Sequence, residues 1–389
     1  MRIDFATEED KNQVKDIWKY CFTDTQAFVK WYFDNKYQSE NTLVVYEQNN
    51  IVSTLQLIPY KILFEKKEVE VSYVVGVDTL PEARGKGYVK HLLQKTIEVL
   101  RERQQFICIL LPFEDAFYKK YGWETCYYQK KYKLLPQEIK RVAKPYGNLR
   151  KVDFQKDIKV LGDVYRQFIK NKNGCILRTT QNWQHILADF LMEKYAGYII
   201  NDEAGKVQGY IFYRIEDNVF SIFEMAYENE KAYQGLLWFA YVHSAQAKTI
   251  AWNAPLEDML FAVIDKPQNA VSINPFVMAR VVDVKEVLEM LVDSNPLQRD
   301  DAFTIYIEDH NAPWNEGVFV ISNQEIYKQE NVKAYDLRCT INVFTQMVMG
   351  TLTPSQAQRL GVLEVKQEKA LCKAQEIFVS RCNFINDYY

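Results

Sequence analysis

The chain has 389 residues, of which 48% are hydrophobic, and its formal net charge is −3. This length and apolar content are enough for two or three domains, each with its own core. The nearly balanced charge, without a basic stripe interleaved with aromatic residues, argues against a nucleic-acid partner. No apolar stretch reaches the roughly twenty residues of a membrane span, and the start MRIDFATEED lacks the apolar core of a signal sequence. We therefore expect a cytoplasmic protein that binds neither nucleic acids nor membranes.

The seven cysteines are odd in number and scattered along the chain. None forms a CxxC pair or stands at metal-ligand spacing from a histidine. The pattern is typical of reduced thiols, and it predicts neither a disulfide framework nor a metal site.

The most informative stretch is residues 74–89, VVGVDTLPEARGKGYV, which follows a predicted hairpin over residues 43–60. It places a Gly-rich basic turn between an apolar strand and an amphipathic helix. Gly85 and Gly87 would let the backbone approach an anion closely, and Arg84 and Lys86 would add positive charge beside the helix start. The pattern predicts a pyrophosphate site, although it matches neither a P-loop nor a GxGxxG dinucleotide motif.

Residues 106–111, FICILL, predict a short buried strand, and the following PFEDAFYKKYGWE predicts a short helix that ends at Gly122. With R-G-K-G read as R-x-x-G-x-[GA], this order resembles the GNAT acetyltransferases. In that family a splayed strand binds the pantetheine arm of an acyl-CoA, the next helix start binds its pyrophosphate, and the Tyr of F-Y-x-x-x-G-[FW] protonates the leaving thiolate. The resemblance places that tyrosine at Tyr118, whereas Val89 departs from the small residue of the turn motif.

Residues 197–215 repeat the layout of residues 43–60, with two apolar runs around DEAGK. The segment from Ser221 then repeats strand, turn and helix, but its turn carries Glu228 and Glu230. Two carboxylates at this position should repel a pyrophosphate. We therefore expect two tandem copies of one α/β unit, the second without a cofactor site; the alternative is two unrelated hairpins that look alike.

The pattern changes again beyond residue 274. A helix is predicted from about residue 283, an antiparallel hairpin over DAFTIYIEDHNAPWNEGVFVIS, and a strand plus a helix over TINVFTQMVMGTLTPSQAQRLG. This region resembles the sterol carrier protein fold, whose lipid-binding members enclose an apolar tunnel. A structural or assembly module is the alternative.

The order of these parts, with MARVVD at residues 278–283, resembles the Eis (enhanced intracellular survival) family of N-acetyltransferases over essentially the whole chain. That family also tends to lack the second small residue of the turn, which suits Val89. The resemblance implies an α+β fold class: two tandem GNAT-type domains, the second degenerate, and a C-terminal sterol carrier protein-like α/β domain. The implied boundaries are 1–140, 141–280 and 281–389.

The resemblance also implies roles for individual residues. The acetyl and pantetheine groups would meet the backbone of Val77, Asp78 and Thr79. The remaining residues expected to bind the cofactor are Arg84, Gly85, Lys86, Gly87, Tyr88, Val89, Lys90, Phe113 and Glu114. Because the family commonly has a small residue where this chain has Phe113, a backbone role is expected there.

Tyr118 would be the general acid, and the α-carboxylate of the last residue, Tyr389, would be the general base. A base is needed because an amine with a pKa near ~10.4 is protonated at neutral pH and cannot attack a thioester. Burial would raise the pKa of the terminal carboxylate and make it a better base. No metal is required by this chemistry.

The implied function is the transfer of an acetyl group from acetyl-CoA to a primary amine, which could be an aminoglycoside, a polyamine or a lysine-type acceptor. Two alternatives are a two-GNAT aminoacyl transferase and a non-catalytic carrier of apolar ligands, or scaffold, that uses the C-terminal domain. The resemblance also implies a homo-oligomer, commonly a hexamer in the family.

An aromatic set near the N-terminus and before Glu124 has two interpretations: an acceptor pocket for a cationic amine, or ordinary core packing at helical spacing. Its members are Trp18, Phe28, Trp31, Tyr32, Phe33 and Trp123.

Overall fold

The computed structural model describes residues 1–264, 270–298, 302–329 and 334–388. Contacts divide the chain into two compact units. The first comprises Met1–Tyr127, Phe276–Asn383 and the end of the chain from Asp387, and the second comprises Tyr128–Pro275 and Phe384–Asn386. The domain boundaries predicted at 140 and 280 stay a prediction.

Strands and helices are interspersed along the described chain. Those before residue 128 are β1 Arg2–Phe5, α1 Lys11–Cys21, α2 Gln26–Asn35, β2 Thr42–Glu47, β3 Asn50–Phe64, β4 Lys67–Thr79, α3 Tyr88–Glu102, β5 Ile107–Leu110, α4 Asp115–Lys119 and β6 Glu124–Thr125. Those of the second unit are β7 Tyr128–Leu134, α5 Pro136–Ile139, β8 Asn148–Lys151, α6 Ile158–Ile169, β9 Cys175–Ile176, α7 Thr180–Met192, β10 Ala196–Asn201, β11 Val207–Glu216, β12 Val219–Tyr227, α8 Glu230–Val242, β13 Thr249–Ala254 and β14 Val271–Pro275. Those after residue 276 are β15 Met278–Val281, α9 Val284–Ser294, β16 Phe303–Glu308, β17 Gly317–Ile321, β18 Ile326–Gln329, β19 Leu337–Thr340, α10 Ile341–Val348, α11 Pro354–Arg359, β20 Glu364–Val365 and α12 Glu368–Ile377.

The predicted hairpin of residues 43–60 is confirmed as β2 and β3. Gln48 and Asn49 join the strands with φ of 50° and 68°, as a two-residue hairpin turn requires. The hairpin predicted at residues 197–215 is likewise confirmed as β10 and β11, which pair antiparallel. The predicted helix after the Gly-rich turn is α3, which buries Leu92, Leu93 and Ile97.

The two predicted copies share one strand order. The first sheet runs β1-β2-β3-β4-β5-β15-β6, and the sheet of the second unit runs β8-β10-β11-β12-β13-β7-β14. In each, two strands near the centre are parallel, β4 with β5 and β12 with β13. The tandem repeat read from the sequence is therefore a repeat of topology.

The MARVVD segment has a structural explanation in the first unit. Arg280, on β15, is fully buried and forms an ion pair with Asp309, with two contacts of 2.8 and 2.9 Å. A Cβ at Gly122 would overlap the guanidinium, and Gly122 has a φ of 89°. Asp283 caps α9 by accepting from Lys285 N at 3.2 Å.

The sheet of the C-terminal region runs β18-β17-β16-β19-β20. The predicted helix from about residue 283 and the hairpin of β16 and β17 are confirmed. The strand predicted at the start of TINVFTQMVMGTLTPSQAQRLG does not extend beyond Thr340, because residues 341–348 form α10. Thr340 caps this helix by accepting from Val343 N at 3.4 Å; a short apolar run does not distinguish a strand from a buried helix, and here the cap decides.

Candidate active site

The candidate active site lies where β4 and β5 part. The strands pair in parallel as far as Val74 opposite Leu110, and no further pair joins them in the described residues. On the other edge of β4 the register with β3 shifts near Gly76, whose φ is 58°. On the β5 side, residues 77–79 therefore have no strand partner in the described part of the chain, which leaves this edge of β4 open to an extended ligand.

The turn before α3 fits an anion. Gly85 and Gly87 have φ of 79° and 81°, and no described atom lies within 4 Å of the position that a Cβ would take on either. Among the described residues, no side chain caps the start of α3. Its first N–H groups therefore stay available to a phosphate.

The basic side chains of this turn are both engaged. Arg84 Nε donates to Thr79 O at 3.1 Å, which braces the turn against the end of β4. Lys86 Nζ lies 3.1 Å from Glu47 Oε2, and this contact raises the pKa of Lys86. To bind a phosphate, Lys86 would have to release Glu47. The helix start and the two glycines need no such change before an anion binds.

The other residues expected on the turn face different environments. Tyr88 is buried, Val89 is half-buried and Lys90 is exposed. Tyr88 and Val89 pack with the α3 core. A contact of these two residues with the cofactor would therefore use their backbone.

Tyr118 lies on α4 and is 3% exposed. Its ring packs edge-on against Phe117 and Phe113, with centroid distances of 5.2 and 5.6 Å. Burial raises the pKa of its hydroxyl well above the usual range, so the phenol is protonated at neutral pH. Phe113 is 75% exposed, and the Glu114 carboxylate caps α4 by accepting from Ala116 N at 3.4 Å.

Asp78 is a buried carboxyl that sequence reasoning missed, since only its backbone was assigned a role. Its side chain is 4% exposed. Oδ1 accepts hydrogen bonds from Thr54 N at 3.1 Å and Thr54 Oγ1 at 2.8 Å, whereas Oδ2 has no partner among the described residues. Desolvation raises the pKa of Asp78 to about 8, so the group is mostly neutral at pH 7. The signal available in the sequence was an acidic residue inside an apolar strand.

The C-terminal segment is buried instead of frayed. Asn383 is 4% exposed and Asp387 is 6% exposed. Within the first unit, Asn383 Nδ2 donates to Met349 O at 2.7 Å and to Cys126 O at 3.0 Å. Tyr73 OH donates to Asp387 O at 3.4 Å, and Tyr73 belongs to β4, one residue before the strands part.

The predicted general base, Tyr389, lies outside the described residues. Its neighbour Tyr388 packs edge-on against Phe276, with centroids 5.1 Å apart. The role of the terminal carboxylate therefore stays a prediction.

The aromatic set near the N-terminus is mostly core. Trp18, Tyr32, Phe33 and Trp123 are each at most 1% exposed. Trp18 stacks on Tyr32 with centroids 4.7 Å apart. Of the two interpretations, core packing is confirmed for these four residues.

The corresponding turn of the second unit is built differently. Asn229 caps α8 by accepting from Ala232 N at 3.0 Å, and Glu230 stands in the first turn of the helix. Lys206 Nζ pairs with Glu228 at 2.8 Å. This helix start is already capped and carries carboxylates, so it disfavours an anionic ligand.

Three family models match the sequence in succession. Residues 2–126 and 174–281 each match an acetyltransferase (GNAT) domain, and residues 284–385 match a sterol carrier protein domain. The chain therefore carries two GNAT domains, and these support acyltransferase activity. The predicted fold class, two GNAT domains followed by a sterol carrier protein domain, is confirmed, and the GNAT domains imply the use of acetyl-CoA.

Solved structures resemble this GNAT chain over its whole length. A probable N-acyltransferase of unknown function from Enterococcus faecalis V583 is 23% identical, with a TM-score of 0.87 and coverage of 100% of this chain and 99% of that chain. A GCN5-related N-acetyltransferase from Anabaena variabilis ATCC 29413 is 23% identical, with a TM-score of 0.85 and 100% of both chains covered. Eis1 from Mycobacterium abscessus is 16% identical, with a TM-score of 0.81 and 100% of both chains covered. At these identities the likeness shows the fold.

A comparison with curated proteins found no match. None of the helices in the described residues has the length and apolar character needed to cross a membrane.

Proposed function

We propose that this GNAT acyltransferase is an Eis-like N-acetyltransferase that moves an acetyl group from acetyl-CoA to a primary amine by direct attack. The observation that carries the proposal is the parting of β4 and β5 beside the uncapped start of α3. One edge of β4 is free for the pantetheine arm, and the open turn at Gly85 and Gly87 suits the pyrophosphate.

The chain's own groups supply the remaining chemistry. In the reaction a C–N bond forms between the amine and the acetyl carbon, the C–S bond breaks, and the electron pair of that bond leaves with the CoA sulfur. Tyr118 gives its proton to the departing thiolate, a role supported by its buried position on α4, the helix that follows β5. Backbone N–H groups at residues 77–79 stabilise the developing oxyanion, an effect generally worth about 3 kcal/mol per donor.

The terminal carboxylate of Tyr389 takes the proton of the amine. The burial of residues 383–387 supports this role, because a segment that is held in place can bring the terminus to a fixed position. The contact of Asp387 with Tyr73 ties the segment to the strand that leads into the site. A buried carboxylate would also attract a cationic acceptor, which is why we propose an aminoglycoside, polyamine or lysine-type amine.

The test is acetyl transfer to a panel of aminoglycosides, polyamines and lysine peptides, measured as acetylated amine by mass spectrometry. Detection of the free thiol would be disturbed by Cys372, which is exposed. The enzyme with its native terminus is compared with a variant lacking Tyr389 and with one carrying a C-terminal glycine.

Both altered termini should keep acetyl-CoA binding and lose at least tenfold in kcat, since the added glycine moves the carboxylate. If both variants acetylate as fast as the native enzyme, the terminal base is rejected. If no amine is acetylated and acetyl-CoA does not bind, the acetyltransferase proposal fails as a whole.

A further inference from the structure

The cleft of the second unit is filled by the chain itself. β12 and β13 pair in parallel as far as Ile222 opposite Trp252 and then part, as β4 and β5 do in the first unit. Residues 384–386 belong to this second unit, and each is at most 5% exposed. A segment from the far end of the sequence thus occupies the kind of cleft that holds pantetheine in a GNAT unit.

Asn386 binds β12 just beyond the last pair of that strand with β13. Its Nδ2 donates to Phe223 O at 3.0 Å, and Phe223 is the first residue of β12 beyond the last pair. The same amide donates to Glu224 Oε2 at 3.2 Å. These two hydrogen bonds join the segment to a backbone acceptor and to a side-chain acceptor of β12.

The acceptor that Asn386 meets is held in place by its own network. Arg178 binds the two oxygens of Glu224 at 2.7 and 2.6 Å, and Tyr210 OH donates to Glu224 at 2.7 Å. Arg178 also lies over the ring of Tyr165, 4.1 Å from its centroid. Because its ion pair is already formed, Glu224 can accept from a neutral amide without an uncompensated buried charge.

The other two residues of the segment, Phe384 and Ile385, also contact the second unit. Phe384 packs edge-on against Phe168, with centroids 5.8 Å apart, and its N–H donates to Asn173 O at 3.1 Å. Gln129 Nε2 donates to Ile385 O at 3.4 Å. The cavity left beside Asn386 measures about 10 Å³, which is room for one water and for no cofactor.

We propose that the second GNAT unit is a peptide-binding module whose ligand is the chain's own C-terminal segment, residues 384–386. The cleft has a partner for the backbone carbonyl of Ile385, for the aromatic side chain of Phe384 and for the neutral carboxamide of Asn386. The capped, acidic start of α8 removes the anion site that an acyl-CoA would need. The binding does not depend on the proposed function; its effect on catalysis does, because the segment ends at the proposed base.

Peptide binding in trans tests the module directly. A protein that ends at Cys382 is titrated with a labelled peptide, NFINDYY, which carries residues 383–389. We expect saturable binding with one peptide per chain, and at least tenfold weaker binding, about 1.4 kcal/mol, for the peptide with Asn386→Ala. Equal affinity of the two peptides, or no binding by a shortened protein that keeps its native circular dichroism, would overturn the proposal.

Full-length variants keep the proposal testable if the shortened protein does not fold. In Asn386→Ala the two hydrogen bonds are lost, and in Asn386→Asp a carboxylate faces Glu224. Hydrogen exchange of the amides of residues 384–388 should become at least tenfold faster in both variants, whereas Asn35→Ala, at an exposed site, should leave it unchanged. Exchange that stays at the wild-type rate in both Asn386 variants would show that Asn386 does not hold the segment.

Activity separates this proposal from the terminal-base proposal. The shortened enzyme is assayed with the free-acid peptide and with the same peptide as its C-terminal amide. Both should bind, and the free acid alone should restore acetylation. If the amide restores it equally, the terminal base is rejected and the module stands; if neither peptide binds, the module is rejected, and the Tyr389 variants still decide the base.

Discussion

Replacing Asp78 by asparagine should change how the stability of the protein depends on pH. The buried carboxyl has a pKa of about 8 in the folded protein, against an ordinary value of 3.8. Between these values the folded protein binds one proton more than the unfolded chain, so the free energy of unfolding falls as pH rises. The contribution of Asp78 is fully present below pH 3.8 and is lost as pH rises through about 8.

The size of the effect follows from the two pKa values. One pH unit in this window changes the free energy of unfolding by up to about 1.4 kcal/mol. From pH 5 to pH 8 the loss amounts to roughly 3–4 kcal/mol in the wild type, because the curve flattens near the folded pKa. An asparagine keeps an acceptor for Thr54 but cannot titrate. The cost of leaving its NH₂ group without a partner, about 1–3 kcal/mol, is the same at every pH.

The assay is the melting temperature of wild type and Asp78→Asn between pH 5 and pH 8. From pH 5 to pH 8 the melting temperature of the wild type should fall by about 5 °C or more relative to that of the variant. A change of 1 kcal/mol in the free energy of unfolding shifts the melting temperature of a unit of this size by roughly 2–4 °C. Asp16→Asn is the matched control, because the Asp16 side chain is 72% exposed and pairs with Lys19. A difference between Asp78→Asn and wild type that stays constant from pH 5 to pH 8 would refute a neutral buried carboxyl.

Three further changes test the site and its support. Tyr118→Phe keeps the ring packing but removes the proton donor, so kcat should fall by about 10²-fold or more while the KM for acetyl-CoA stays unchanged. Steady-state kinetics measures both values. An unaltered kcat would show that Tyr118 is not the general acid. Gly87→Ala should raise the KM for acetyl-CoA and lower the free energy of unfolding by about 1–2 kcal/mol, because a residue with a Cβ is strained at a positive φ. Gly205→Ala is the control: Gly205 has a φ of 82° in an open turn of the second unit, so the variant should lose the same stability without a change in the KM. Asp309→Asn should lower the free energy of unfolding in urea by about 3–5 kcal/mol, because the Arg280 charge stays buried without its partner; a loss below 1 kcal/mol would contradict that reasoning.

The sequence was most informative where local rules act. The turn between β2 and β3 and the glycines before α3 were predicted because a positive φ or a two-residue hairpin needs particular residue types at particular positions. The tandem repeat was visible because both units keep the same alternation of apolar runs. Asn229, beside the two carboxylates of the second turn, adds a cap that the motif itself did not include.

Other features escaped sequence reasoning because their partners are far apart along the chain. Arg178 and Glu224 are separated by 46 positions, and Tyr73 and Asp387 by 314. Neither residue of such a pair predicts its partner, because the local sequence around a polar residue in an apolar run is the same whether or not a distant partner exists. The helix α10 was missed for a related reason: short apolar runs have no period of their own, and the cap at Thr340 outweighs strand propensity.

The sequence by itself determined the order of the domains, the Gly-rich turn before α3, the position of Tyr118 on its short helix and the loss of that turn in the second unit. Each depends on residues within one or two elements, where sterics and capping are local. Only the tertiary structure decided that Asp78 is buried and neutral, that Arg280 needs Asp309, and that the last residues are held in the cleft of the second unit. These depend on desolvation and on partners brought together by folding, which no spacing along the chain encodes.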